Sequence, residues 1–417
     1  MTQDTSIKTE ALIVGGGLVG MAAAVALAEG GIATVVIDSE PAEERVSAGY
    51  DGRSSAIAFG SQQALDQLGL WPAMAGEAES ILDIRVSDGC PGEAAAPLFL
   101  HYDHRESGLA APFGHIVENR VTRRALLARL AALPLATLLA PARLAKVERG
   151  TDGVAAELTD GRSIRAGLLI AADGANSALR ATAGIPIAQF VYAQTGIVAT
   201  VAHELAHEGV AHEHFLPSGP FAMLPMTDWQ GRHRSSIVWT ERRDLAPALL
   251  GLDDGEFSAE IERRFGNSLG HIRVLGGRWS YPLRLIHAAR YLDRRLVLLG
   301  DAAHAIHPIA GQGLNLGLRD VAALAEVLVD AHRLGLDIGS SAVLEDYERW
   351  RRFDTMLLIA VTDSLNRLFS NDLAPVRLLR DVGLAAVNRL PPLKRLFMRH
   401  AMGAAGPRPR LLRGLPL

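Results

Sequence analysis

The sequence predicts an α/β protein in which a parallel-sheet domain is interrupted by an antiparallel sheet and followed by a helical C-terminal region. Three observations predict it. Apolar runs such as Ala11-Leu12-Ile13-Val14 and Leu296-Val297-Leu298-Leu299 lack the alternation of a half-solvated strand, as strands buried on both faces do. From Ile187 to about Pro282 the texture changes to alternating segments, among them Gly196-Ile197-Val198-Ala199-Thr200 and Ser235-Ser236-Ile237-Val238-Trp239, which suit an antiparallel sheet. Beyond Ser341 the chain reads as helix almost throughout.

Residues 8–14 form the first strand, the Ala-rich stretch 18–29 a helix, and Thr34-Val35-Val36-Ile37 a second strand, which completes a βαβ unit. Residues 61–70 and 120–132 read as helices, the second with Leu126, Leu127 and Leu130 on one face. Strands over 143–157 and 163–171 surround Thr159-Asp160-Gly161-Arg162, where Asp-Gly suits a hairpin. Strand and helix alternate again with residues 295–299 and a long helix from near Gly313.

With 49 % hydrophobic and 21 % charged residues, the 417-residue chain matches ordinary globular proteins. A net charge of −4 argues against a dedicated nucleic-acid binder. The single cysteine, Cys90, excludes an intramolecular disulfide. The N-terminus lacks the basic and apolar regions of a signal peptide, so cytoplasmic residence is expected. Ala11 to Ile37 carries one charge, Glu29, but six glycines break it into strand, turn, helix, turn and strand, not a membrane span.

Three segments carry chemistry. Gly15, Gly17 and Gly20 match GxGxxG: a tight turn, close approach to a pyrophosphate, and close helix–strand packing, with backbone N–H groups at Leu18 and Val19 opening the helix. Asp38, with Ser39 after it, follows 23 residues beyond Gly15, in reach of a ribose hydroxyl. A strand then ends in Asp173-Gly174-Ala175-Asn176-Ser177, readable either as a cofactor contact or as a turn with a helix cap. The third segment runs from Gly300 and Asp301 through Pro308, Gly311, Gly313 and Leu314 to Asn315. Asp301 suits a ribityl hydroxyl, and a helix start at Gly313 suits the negative charge of a reduced flavin. Together they indicate FAD.

These segments resemble the three FAD fingerprints of the class A flavoprotein monooxygenases, typified by para-hydroxybenzoate hydroxylase. Further stretches, Asp51-Gly52-Arg53-Ser54-Ser55-Ala56-Ile57-Ala58, Phe221-Ala222-Met223-Leu224-Pro225-Met226, Ser280-Tyr281-Pro282-Leu283, His307 to Asp320 and Val361-Thr362-Asp363-Ser364-Leu365, resemble the ubiquinone-biosynthesis hydroxylases acting on polyprenylphenols. The resemblance implies a Rossmann-like FAD-binding domain from residues 1–80, 113–186 and 283–340. It further implies an inserted substrate domain of residues 81–112 and 187–282, and a helical region over 341–417. It implies reduction of FAD by NADH, NADPH or a redox protein, capture of O₂ as a C4a-hydroperoxide, and oxygen transfer to the ring of a prenylated phenol. Arg53 and Arg123 would contact FAD, Arg124 competing with Arg123. Met223, Leu224, Pro225 and Trp239 are the sheet-side positions expected at the substrate.

No side chain presents itself as a catalytic base, so the catalytic residue is unassigned. His212 and His214 alternate on a strand and His304 and His307 lie three apart, but neither pair brings a third ligand at a recognised spacing, so no metal is expected. From Leu365 onward ten basic residues face two acidic ones, and segments such as Val376–Arg380 and Leu393–Arg399 mix basic with apolar residues. They suit either docking on the inner face of an anionic membrane or within a biosynthetic complex, or a helical cap paired with the acidic body. A soluble aromatic-compound hydroxylase and a non-catalytic FAD-binding subunit are the alternative functions.

Overall fold

The computed structural model describes residues 6–42, 44–46, 53–89, 100–306, 311–369 and 391–417. Cys90, Asp51-Gly52, His307, Pro308 and the segment Val376–Arg380 lie outside them. The continuous apolar runs form the centre of a six-stranded sheet. Its order is Leu292–Asp293, Leu296–Leu298, Leu168–Ala171, Ala11–Val14, Thr34–Ile37 and Ala136–Leu139, parallel throughout except for the two-residue edge strand. Leu12, Ile13, Leu169, Ile170, Val297 and Leu298 are wholly inaccessible, which is why these strands carry no polar face.

Helix Leu18–Glu29 packs between helices Asn119–Ala132 and Gln312–Arg333, its run Met21–Ala28 buried. The small alanine side chains let three helix backbones approach one another. A four-stranded sheet of Ile7–Lys8, Ser163–Ala166, Val154–Leu158 and Leu144–Arg149 adds Val154, Ala156, Leu158 and Ile164 to the same core. Gly15 has φ +109°, and a Cβ there would sit 2.2 Å from the Ala172 carbonyl oxygen. One on Gly20 would sit 1.9 Å from the Gly15 carbonyl oxygen.

The second sheet has eight strands in the order His304–Ala305, Ile272–Ala288, Ile187–His203, Arg232–Arg242, Gly219–Trp229, Val210–Leu216, Asp83–Asp88 and Leu100–Asp103. All neighbours are antiparallel except Val210–Leu216 beside Asp83–Asp88, a parallel pair that alternation cannot reveal. Ile272–Ala288 runs unbroken through position 282, so the strand itself crosses from the second sheet towards the nucleotide domain. Within 187–282 the chain also forms helices Ala246–Leu250 and Asp254–Phe265, the latter started by a capping box between Asp253 and Glu256.

Helix Asp254–Phe265 buries Phe257, Ile261 and Phe265 on one face of this sheet, against Ile197, Phe221, Met223, Ile237 and Trp239. The other face, through Ala211, Leu224 and Met226, meets Ala56, Phe59, Phe113, Ile116, Met398 and Met402. Beyond strand 272–288, helix Ser341–Phe369 packs on Gln312–Arg333, and helix Pro391–Ala401 closes the molecule. No helix among the described residues is long and apolar enough to cross a membrane.

His212 and His214 point to the Phe265 side. Their rings stack 6.1 Å apart and each meets Phe265 edge-on. Burial pushes both down to about 4, helped at His212 by His214 and Arg85. Among the described residues no group of three or more His, Cys, Asp or Glu side chains could hold a metal ion.

Two outcomes follow from this packing. Gly20→Ala drives a methyl into a backbone carbonyl that cannot move aside, so chemical denaturation should show a loss of about 2–3 kcal/mol. The two histidines have folded pKa values below the unfolded ~6.5, so they contribute stability that is present above pH ~6.5 and lost as pH falls towards about 4. His212→Phe should flatten the acid limb of a midpoint-against-pH curve; an unchanged slope would contradict this assignment.

Candidate active site

The three glycine- and acid-bearing segments meet. The turn at Gly15 lies against the Ala172 carbonyl and Asp173 amide. Val19, one turn further on, sits where a Cβ on Gly300 or Gly317 would come within 3.1 or 2.5 Å of its methyl groups. Arg180, just past the second segment, donates to the Ala302 carbonyl at 2.8 Å. Each segment thus touches the other two, although they lie up to 300 positions apart in sequence.

At one end of this junction is a cavity walled by Gly16, Met21, Asp38, Glu40, Arg123, Leu127 and Leu138. Asp38 ends strand Thr34–Ile37 and is 8 % exposed; its carboxylate accepts from the Gly16 amide at 2.5 Å and the Glu40 amide at 2.9 Å. Those bonds fix its carboxylate at the cavity wall. Arg123 is buried in the cavity wall, whereas Arg124 is turned outward onto Glu77. Ser39 is exposed beside the mouth. A Cβ on Gly17 would meet nothing within 4 Å, so backbone is open to a ligand at the start of helix Leu18–Glu29.

Asp173 accepts from the Leu179 amide through Oδ2, while its buried Oδ1 has no hydrogen-bond partner in the structure. Ser177 caps the short helix Ala178–Thr182, so the cap reading of this segment also holds locally. Asp301, on the turn Gly300–Ala302, is exposed; burial by the protein around it pushes its carboxyl up, against the pull of His304, Arg284 and Arg53.

Helix Gln312–Arg333 starts at Gly311, which has φ +61° and faces Ala56. Asn315, 1 % exposed, is the clamp of this corner: it accepts from the Ala58 amide at 2.9 Å and donates to the Ala56 carbonyl at 2.7 Å. Strand Ser54–Ala58 is thereby fixed across the helix start. Gly313 is open, and Leu314 is half-buried beside it.

These features fit an FAD molecule. A small cavity with a fixed carboxylate, an uncovered helix start, an orphaned buried carboxylate oxygen and a second uncovered helix start occur along one junction.

Beneath it is an ionic network that sequence reasoning missed. Asp320, wholly buried, accepts from the Gly300 amide at 3.1 Å, pairs with His304 at 2.7 Å and accepts from Arg351 at 2.7 Å. Arg351 also bonds Asp354 at 2.5 Å. Burial would raise the Asp320 carboxyl, but His304 and Arg351 hold it below the usual carboxylate range. The available signal was a lone acid among Leu316, Val321 and Leu324 on the apolar stripe of a long helix.

The expected substrate positions divide. Leu224 faces the nucleotide domain, in the cluster with Ala56 and Phe59. Met223 and Trp239 do not: strand alternation turns both to the opposite face, where Trp239 is inaccessible, packed on Phe257 and under the Arg264 guanidinium. Pro225, two residues from Met223 on the same strand, shares the Met223 side by that alternation. A period-2 pattern shows that a strand has two faces without showing which one meets the ligand.

Comparison with known proteins agrees with this geometry. The model of the FAD binding domain family matches residues 8–358. The ubiquinone hydroxylase UbiL of Rhodospirillum rubrum is 57 % identical over 98 % of this chain and 93 % of its own length. The 3-demethoxyubiquinol 3-hydroxylase of Escherichia coli is 38 % identical over 96 % of this chain and all of its own. The crystal structure of p-nitrophenol 4-monooxygenase PnpA from Pseudomonas putida superposes with a TM-score of 0.77 at 21 % identity, covering 96 % of this chain and all of that one, and so shares the fold. The chain belongs to the FAD-dependent monooxygenase family that includes the ubiquinone hydroxylases.

Proposed function

We propose that this enzyme hydroxylates the aromatic ring of a polyprenylated phenol in ubiquinone biosynthesis, with O₂ as oxidant. The observation that carries the reading is the near full-length identity to UbiL, combined with a sheet face that meets the start of helix Gln312–Arg333 across Ala56 and Leu224. NADH, NADPH or a redox protein is the proposed electron donor.

Asp38 and Arg123 would hold the adenosine end of FAD, the helix start at Gly17–Gly20 its pyrophosphate, and Asp301 its ribityl chain. Arg53 and the start of helix Gln312–Arg333 would lie at the flavin ring. When bound, the flavin supplies the two-electron activation of O₂ that acid–base side chains cannot. The helix start stabilises negative charge beside it. The apolar contacts of Leu224, Phe59 and Met398 keep water from the reacting centre.

A prenylated substrate resides in membrane, and the surface of the C-terminal region suits contact with one. Helix Pro391–Ala401 buries Met398 and pairs Lys394 with Glu106 at 2.6 Å. It exposes Arg395, Leu396, Phe397 and Arg399, and helix Ser341–Phe369 exposes Arg352, Phe353 and Met356. Both expectations for this region thus find support, the cap on the inner face and membrane docking on the outer. Because Met402, Leu411 and Leu412 are core residues, surface substitution is a cleaner test than truncation.

Supplied with a prenylphenol, an electron donor and ¹⁸O₂, FAD-loaded protein should place one labelled oxygen on the ring by mass spectrometry. Turnover of small phenolic acids alone would indicate the soluble hydroxylase, and flavin without any incorporation a non-catalytic subunit. Leu396→Asp with Phe397→Asp should reduce sedimentation with anionic liposomes at least fivefold while leaving flavin content unchanged; undiminished sedimentation would contradict the docking surface. Asp320→Asn removes the wholly buried carboxylate that joins His304 to Arg351 and leaves Arg351 with Asp354 alone, so it should cost about 3–5 kcal/mol of stability and lower the flavin content of purified protein.

A further inference from the structure

The strand register places one carboxylate in an otherwise apolar row on the sheet face that meets the nucleotide domain. Val198 pairs with Val238, Val238 with Ala222, Ala222 with Glu213 and Glu213 with Val86, so the five lie in line across five strands. Their face is fixed by their neighbours. Ala211 and Leu224 on the same side pack on Ala56, Phe59 and Met398, whereas His212 and His214 turn away to Phe265. Ala56 is in turn the residue clamped by Asn315 at the start of helix Gln312–Arg333. Valine and alanine are short, so the Glu213 side chain stands above a low apolar shelf opposite the flavin-side strand.

Glu213 is half-buried, and no group among the described residues hydrogen-bonds it or pairs with it. An unpartnered carboxyl in such surroundings costs stability. Burial alone pushes it up to about 7, with no charged neighbour contributing. Among the described side chains, the other titratable or charged groups on that face are otherwise committed, Tyr281 at the far end being pushed up by burial. Tyr102 is pushed up to about 12 by burial, Arg234 lies 3.4 Å from Glu118, and the end residues Asp228 and Arg242 pair with His233 and Asp244. On the facing strand Gly114–Glu118 it is Ile116 that meets this sheet, while His115 turns away onto Trp71.

We propose that Glu213 is the catalytic base that accepts the hydroxyl proton of the phenol ring as the ring is hydroxylated. The assignment rests on the functional reading above. The O–H bond of the phenol breaks, its proton passes to a Glu213 oxygen, and its electron pair enters the ring, raising electron density at the ortho and para carbons that an electrophilic oxygen attacks. Once the attacked carbon has lost its hydrogen as a proton, taken up by the other oxygen atom of O₂ as that leaves as water, and the ring is aromatic again, the carboxyl returns its proton to the ring oxygen and ends unchanged. The two electrons and the O₂ are those of the flavin reaction. A carboxylate with a pKa near neutrality is suited to accept a proton from a phenol of pKa ~10 in the transition state, where an ordinary exposed one would be too weak a base.

The test compares FAD-loaded wild type with Glu213→Gln, whose amide accepts a hydrogen bond but no proton, and Glu213→Val, which does neither. Probes are 2-prenylphenol and its methyl ether. Hydroxylation of 2-prenylphenol should rise with pH through about 7 in wild type. In Glu213→Gln it should fall at least tenfold and lose that limb, with donor oxidation diverted to peroxide. Binding, read from flavin fluorescence without turnover, should favour the phenol over the ether about tenfold in wild type and equally in Glu213→Val. Both variants should fold, and melt higher than wild type above pH 7, because each removes an unpartnered desolvated charge.

Hydroxylation that is undiminished in Glu213→Gln overturns the assignment while the functional reading stands. Equal binding of phenol and ether by wild type also overturns it. Absence of hydroxylation by wild type, with the phenol preference present and lost in Glu213→Val, refutes the functional reading and leaves Glu213 as the acceptor of a ring hydroxyl.

Discussion

The carboxylate of Asp320 is the interaction on which the site depends. It is wholly inaccessible and has three partners from two parts of the chain: the Gly300 amide and the His304 ring, four positions apart, and the Arg351 guanidinium. A buried charge with one partner removed is costly, whereas one with both oxygens bonded holds its surroundings in a single arrangement. Here the surroundings are the turn at Gly300–Ala302, the strand His304–Ala305 that joins the second sheet, and helix Ser341–Phe369. The nucleotide domain, the sheet and the C-terminal helices are therefore registered on one another by one group.

Above that group, the same economy of fixed backbone recurs. Asn315 spends its side-chain amide on the backbone of Ala56 and Ala58, and Asp38 its carboxylate on the amides of Gly16 and Glu40. None of these bonds needs a ligand, and they hold a carboxylate and two helix starts in place along the junction. A cofactor entering such a site meets groups already oriented, so little conformational entropy opposes its binding. Glu213 is the opposite case: a carboxyl with no partner among the described residues, where the fold would be more stable without it, as the proposed role in chemistry requires.

What was legible in the sequence follows from the range of the forces involved. The strands Ala11–Val14, Leu168–Ala171 and Leu296–Leu298 could be read because burial on both faces removes polar residues from a local run. The glycines could be read because a tight turn and a close approach are local demands. Arg123 and Arg124 could not be separated, because which residue of a helix points inward is set by its rotation against Met21 and Leu138. Met223 and Trp239 were expected on the substrate side and lie on the other, because helix Asp254–Phe265 covers the face they share. The Asp320 network was invisible because its partners, Gly300, His304 and Arg351, are brought together only by tertiary packing.

The most direct measurement is a crystal structure of the FAD-loaded protein with a prenylphenol bound. The account predicts the adenosine in the cavity of Asp38 and Arg123, the flavin ring at the start of helix Gln312–Arg333, and the phenol ring between it and the sheet face of Ala222 and Leu224. A flavin ring seated away from that helix start, or a phenol on the Phe265 side of the sheet, would contradict it.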